Sequence, residues 1–72
     1  MREIKAIKVD NEVISLGMRN TIGFNHKTIA QIKEFHTNDP RNGFNVIGYY
    51  GLDEDGKLIF EIMTNSAVVI FK

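Results

Sequence analysis

Thr28-Ile29-Ala30-Gln31-Ile32-Lys33-Glu34-Phe35-His36-Thr37-Asn38 is the stretch on which the fold turns. Ile29, Ile32, Phe35 and His36 recur at helical spacing and share one arc of a helical wheel. Lys27, Gln31 and Glu34 fall on the opposite side, with Ala30 between. Asn25 suits the cap of a first turn, and Thr28 with Gln31 forms an alternative capping box. Asp39-Pro40 supplies the stop, because proline biases the residue before it away from helical backbone. The pattern predicts one amphipathic helix ending near Thr37 or Asn38.

Strand patterns lie on both sides. Upstream, Ile4, Ala6, Ile7 and Val9 precede Asp10-Asn11, and Val13, Ile14, Leu16 and Met18 follow it. A two-residue loop at Asp10-Asn11 would make a hairpin with Val9 opposite Glu12, Ile7 opposite Ile14 and Lys8 opposite Val13. One face then carries Ile7, Val9, Ile14, Leu16 and Met18, as in a sheet covered on one side. Ile22 and Phe24 lie in the connection and should pack back on the core. Downstream, Asn42-Gly43 marks a turn, and Phe44–Leu52 and Lys57–Met63 read as strands around Asp53-Glu54-Asp55-Gly56. Ala67–Phe71 reads as a last strand, apolar on both faces. The expected fold is therefore α+β in the order ββαβββ, a mainly antiparallel sheet of about five short strands packed by a single helix.

At 72 residues the chain has room for one domain, residues 1–72. With no cysteine, it has neither disulfides nor thiolate ligands. Nine basic and nine acidic side chains balance, so no global basic field draws in nucleic acid. The N-terminal stretch mixes charge with apolar residues and lacks the apolar core of a signal peptide, and no run approaches a membrane span. A cytoplasmic location is the expectation, without membrane contact.

Chemistry-bearing residues are sparse. His26 and His36 are ten positions apart and cannot share a metal from one straight helix. His36 reads as a rim histidine bonded locally. The Asp53–Gly56 cluster lacks the twelve-residue ligand spacing of a calcium loop and reads as a turn. Ser15 and Ser66 sit in no nucleophile elbow. Gly48 and Gly51, inside one strand, signal a bend or the close approach of another group. A pocket of the ~300–1,000 Å³ that small molecules use is hard to carve from so small a monomer. No cofactor or metal is expected, and the chain does not read as an enzyme.

What remains is a small non-enzymatic protein-binding or regulatory module, acting through a homodimer or an unidentified protein partner. Tyr49 and Tyr50, adjacent on one strand and so on opposite faces, join Val69 and Phe71 as contact candidates. The alternative is weak nucleic-acid binding by Lys5, Lys8 and Arg19 of the first hairpin with an exposed tyrosine. A third reading is a small catalytic or ligand-binding dimer that uses His36 or Tyr50 at the subunit boundary.

Overall fold

The computed structural model describes residues 2–19, 27–39, 41 and 44–72. Six strands make it up: β1 (Ile4–Val9), β2 (Glu12–Ser15), β3 (Gln31–Asp39), β4 (Phe44–Leu52), β5 (Leu58–Met63) and β6 (Val68–Phe71). They form two three-stranded antiparallel sheets, ordered β2-β1-β6 and β3-β4-β5. Among the described residues there is no helix, and so none long and apolar enough to cross a membrane.

The first hairpin has the register its sequence predicts. Val9 faces Glu12, Lys8 faces Val13, Ile7 faces Ile14 and Ala6 faces Ser15. Asp10 takes a φ of 54°, a left-handed conformation that short-side-chain polar residues tolerate in tight turns. Ile7 is fully buried and Ile14 nearly so, while Val13 on the other face is exposed. Met18, expected on the buried face, is exposed instead.

The expected α+β architecture is overturned at β3. Every residue from Gln31 to Asp39 stands opposite a residue of β4, from Leu52 back to Phe44. The helical spacing of Ile29, Ile32 and Phe35 is real in the sequence but serves a strand. Ile29 and Ile32 are buried in the core, and alternation sends Phe35 to the other face. Two physical terms favour this outcome. An isolated helix of about eleven residues lies below the length that is even marginally stable in water. Ile32, Phe35 and Thr37 are also β-branched or aromatic, and β4 offers them a continuous ladder.

Glycines make the second sheet fit. Gly48 stands opposite Phe35 and Gly51 opposite Phe60. A Cβ at Gly48 would fall on the Phe35 ring, and one at Gly51 on the Phe60 ring. Each phenylalanine thus lies across its partner glycine and fills the space a side chain would take. Phe60 does this inside the core, at 4% exposure, and Phe35 does it on the outer face.

The sheets meet over Ile4, Ile7, Ile14, Ile29, Ile32, Tyr49, Ile59 and Phe60. Backbone bonds stitch them where the Gly17 N–H donates to the Ile29 carbonyl at 2.9 Å and the Ile29 N–H to the Met18 carbonyl at 2.9 Å. The expected Asn25 cap, the packing of Ile22 and Phe24, His26, Pro40 and the Asn42-Gly43 turn lie outside the described residues.

Gly51→Ala should lower stability by about 1–3 kcal/mol, because the buried Phe60 ring has nowhere to move. Gly48→Ala should be milder, since Phe35 is able to swing toward solvent. Denaturant midpoints of the two variants would check the order, and equal effects would contradict the role given to burial.

Candidate functional site

Among the described residues, β6 is the outermost strand of its sheet and pairs only with β1. Its register sets Lys8 against Val68, Ile7 against Val69, Ala6 against Ile70 and Ile4 against Phe71, with a bulge between Ile4 and Ala6. The Lys72 N–H continues the ladder to the Glu3 carbonyl at 2.9 Å. The hairpin closes at the Val9–Glu12 pair, and the Leu16 N–H donates to the Lys5 carbonyl, so Lys5, Ile7 and Val9 turn their backbone toward β2. Ala6 and Lys8 therefore turn theirs toward β6, to Ile70 and Val68. By the same alternation, the N–H and C=O groups of Val69 and Phe71 point outward along the free edge.

The side chains of this edge are apolar. Val68 is 59% exposed, Ile70 44% and Phe71 39%. Val13, Lys8 and Val68 form one cross-strand row on the outer face, and Ser15, Ala6 and Ile70 the next. Natural edges are commonly blunted by a charge, a proline or a bulge in the edge strand itself. Val68–Phe71 has no charge and no proline. Val69, expected at a contact, also packs partly against the core. Phe71 lies under Arg2, whose guanidinium is 4.6 Å from the ring centroid.

The two tyrosines separate as adjacent strand residues must. Tyr49 is 3% exposed and belongs to the core, so only a rearranged fold would bring it to a partner. Its hydroxyl donates to Glu34, the residue directly opposite on β3. Burial, and then the Glu34 carboxylate, push the Tyr49 phenol above its ordinary value of 10.0. Tyr50 lies half-buried on the outer face, its ring 6.0 Å from that of Phe35.

The basic candidates are dispersed. Lys5 and Lys8 are both exposed on β1, with the β-bulge at Lys5 and the buried Ala6 and Ile7 between them. Arg19 sits away from both, at an isolated bridge to Thr28. His36 is exposed, with Nε2 3.2 Å from a Glu34 carboxylate oxygen. The acidic loop is a turn. Asp53 is buried, and its Oδ1 accepts the Asp55 N–H at 2.9 Å and the Lys57 N–H at 3.0 Å. Gly56, at φ 78°, closes the loop with its N–H on the Asp53 carbonyl. Among the described residues no group of three or more His, Asp or Glu side chains is placed to hold a metal ion.

One feature escaped the sequence reading. An open cleft of about 650 Å³ separates the start of β1 and the end of β6 from the edge of β3. Arg2, Glu3, Ile4, Phe71 and Lys72 form one side, and Ala30 through Glu34 the other. A space of this size, expected to be hard to carve from so small a chain, is thus present as an open cleft. Family models, curated proteins and solved structures offer no match to this chain.

The Tyr49 environment has a pH signature. A phenol whose folded value is raised contributes stability that is complete below its unfolded value and is lost as pH rises past it. Denaturant midpoints at about pH 8 and about pH 11 should therefore fall less for Tyr49→Phe than for the parent chain. An equal fall in both would show that Tyr49 stays neutral in neither state.

Proposed function

We propose that the chain is a small protein-binding module that works through strand addition at β6, with a second copy of itself as the partner. The observation that carries this reading is the free, uncharged β6 edge beside exposed Val68 and Ile70. Strand addition draws affinity from backbone hydrogen bonds and specificity from alternate side chains.

The edge is self-complementary. Two β6 strands meeting antiparallel about Ile70 set Val69 opposite the other copy's Phe71, and each such pair exchanges its outward N–H and C=O groups. Ile70 then faces its own copy across the dyad. Val68–Phe71 carries no charge, so no like charges oppose within the new ladder. The two three-stranded sheets become one of six strands, and the apolar outer patches of Val13, Val68 and Ile70 merge.

The contact is short, so association should be weak and visible only at high concentration. Light scattering on the eluting protein, from about 10 µM to about 1 mM, should show the mass rising from 8.2 kDa toward twice that value. Ile70→Lys places two like charges at the dyad and should hold the mass at the monomer value with an unchanged thermal midpoint. Leu58→Lys, an exposed position on the other sheet, should associate like the parent chain. A parent chain that stays monomeric throughout, or an Ile70→Lys variant that still doubles, would overturn the proposal.

A further inference from the structure

The cleft beside β3 has a charge pattern of its own. Its walls carry Arg2, Lys33 and Lys72 against Glu3 and Glu34. Both carboxylates are engaged. Glu3 Oε2 lies 2.9 Å from Lys72 Nζ. Glu34 accepts the Tyr49 hydroxyl and sits 3.2 Å from His36 Nε2. Glu3 is thereby paired with Lys72, while Glu34 keeps its negative charge, so three basic side chains face two acidic ones. Arg2 is stacked on Phe71, and among the described residues neither Arg2 nor Lys33 has a carboxylate within ion-pair distance. Their charge is felt nonetheless: Lys72 first, and Lys33 after it, hold the Glu3 carboxyl below its ordinary value.

The backbone adds donors. The Thr64 N–H donates to the Ile47 carbonyl, so Ile47, Tyr49 and Gly51 turn toward β5, and Gly48, Tyr50 and Leu52 turn toward β3. Opposite these last three, Phe35, Lys33 and Gln31 turn back toward β4. Ile32 and Glu34 therefore point their N–H groups away from β4, along the cleft edge. Apolar Ile4, Leu16 and Ile32 also line the space. A volume of about 650 Å³ falls within the range of small-molecule sites.

We propose that this cleft binds a small amphipathic anion, its carboxylate or phosphate held by Arg2, Lys33 and the outward amides of β3, and its apolar body laid against Ile4, Leu16 and Ile32. The cleft and the self-pairing of β6 share Phe71, and Ile70, outside the cleft lining, is the position that separates the two. A carboxylate and a phosphate share the chemistry that Arg2 and Lys33 recognise. An uncharged molecule of the same length would find only the apolar wall.

The test is a titration of the full ¹⁵N-labelled chain, at one fixed protein concentration, with octanoate, with octyl phosphate and with octanol. Saturable shifts at the Ile4, Ile32 and Glu34 amides are expected with one or both anions, and the anion that gives them identifies the headgroup. Arg2→Gln combined with Lys33→Gln should weaken the binding about tenfold. Lys57→Gln, in the β4–β5 turn, should leave it unchanged, and Ile70→Lys should bind as the parent does. The proposal is overturned if neither anion saturates, if octanol binds as tightly as the anions, or if the double variant, folded by its amide dispersion, keeps the parent affinity.

Discussion

Two sheets of three strands leave only β1 and β4 paired on both sides. Each remaining strand has one flank without a ladder partner in its own sheet, and the polar backbone there must meet water, another segment or a ligand. The rest of the architecture follows from that constraint. The segments just beyond β2 and just before β3 meet this constraint for each other, through the Gly17–Ile29 and Ile29–Met18 backbone bonds. Past the end of β5, Asn65 Oδ1 takes the Ile47 N–H at 2.8 Å, so a side chain continues the β4–β5 ladder. Among the described residues, no ladder partner covers the outer flank of β6 or of the middle of β3. The exposed apolar strand and the cleft are two consequences of one topological shortage.

The core compensates for its small size by fitting closely at β4. In a three-stranded sheet the central strand takes part in every cross-strand contact, and here it gives up two side chains, at Gly48 and Gly51. Glycine in a strand is ordinarily destabilising, because it packs nothing and loses more entropy on folding. A phenylalanine laid over each one restores the buried area and brings the neighbouring strand close. The two glycines work on opposite faces, three positions apart. Phe60 therefore closes the core, while Phe35 and Tyr50 build an aromatic pair on the outer face.

The sequence was legible where the information is local. The β1–β2 register follows from a two-residue turn and the alternation of Ile7, Val9, Ile14 and Leu16, all within a dozen residues of each other. The acidic turn and the β4–β5 hairpin are local in the same sense. Residues 28–38 misled because period 3.6 and period 2 both fit so short an apolar set, and the deciding term is not in the segment. That term is β4, with Gly48 making room for Phe35 on the face opposite Ile32. The expectation that Gly48 and Gly51 mark a close approach was sound, but the sequence does not say that two phenylalanines make that approach.

The cleft lay further out of reach for the same reason. Its walls come from residues 2–4, 16, 30–34 and 71–72, which have no common pattern and meet only when both sheets are assembled. Even its charge is invisible in composition, where nine basic and nine acidic side chains cancel. Net neutrality of the chain does not make each surface neutral. Glu3 is paired with Lys72, and Arg2, Lys33 and Lys72 outnumber Glu3 and Glu34 on the walls, so the cleft keeps a positive excess. The Tyr49 hydroxyl meets the β3 wall from inside the core, where it helps hold the Glu34 carboxylate as an anion and is itself kept neutral. Packing and surface charge are thus coupled through a single cross-strand pair.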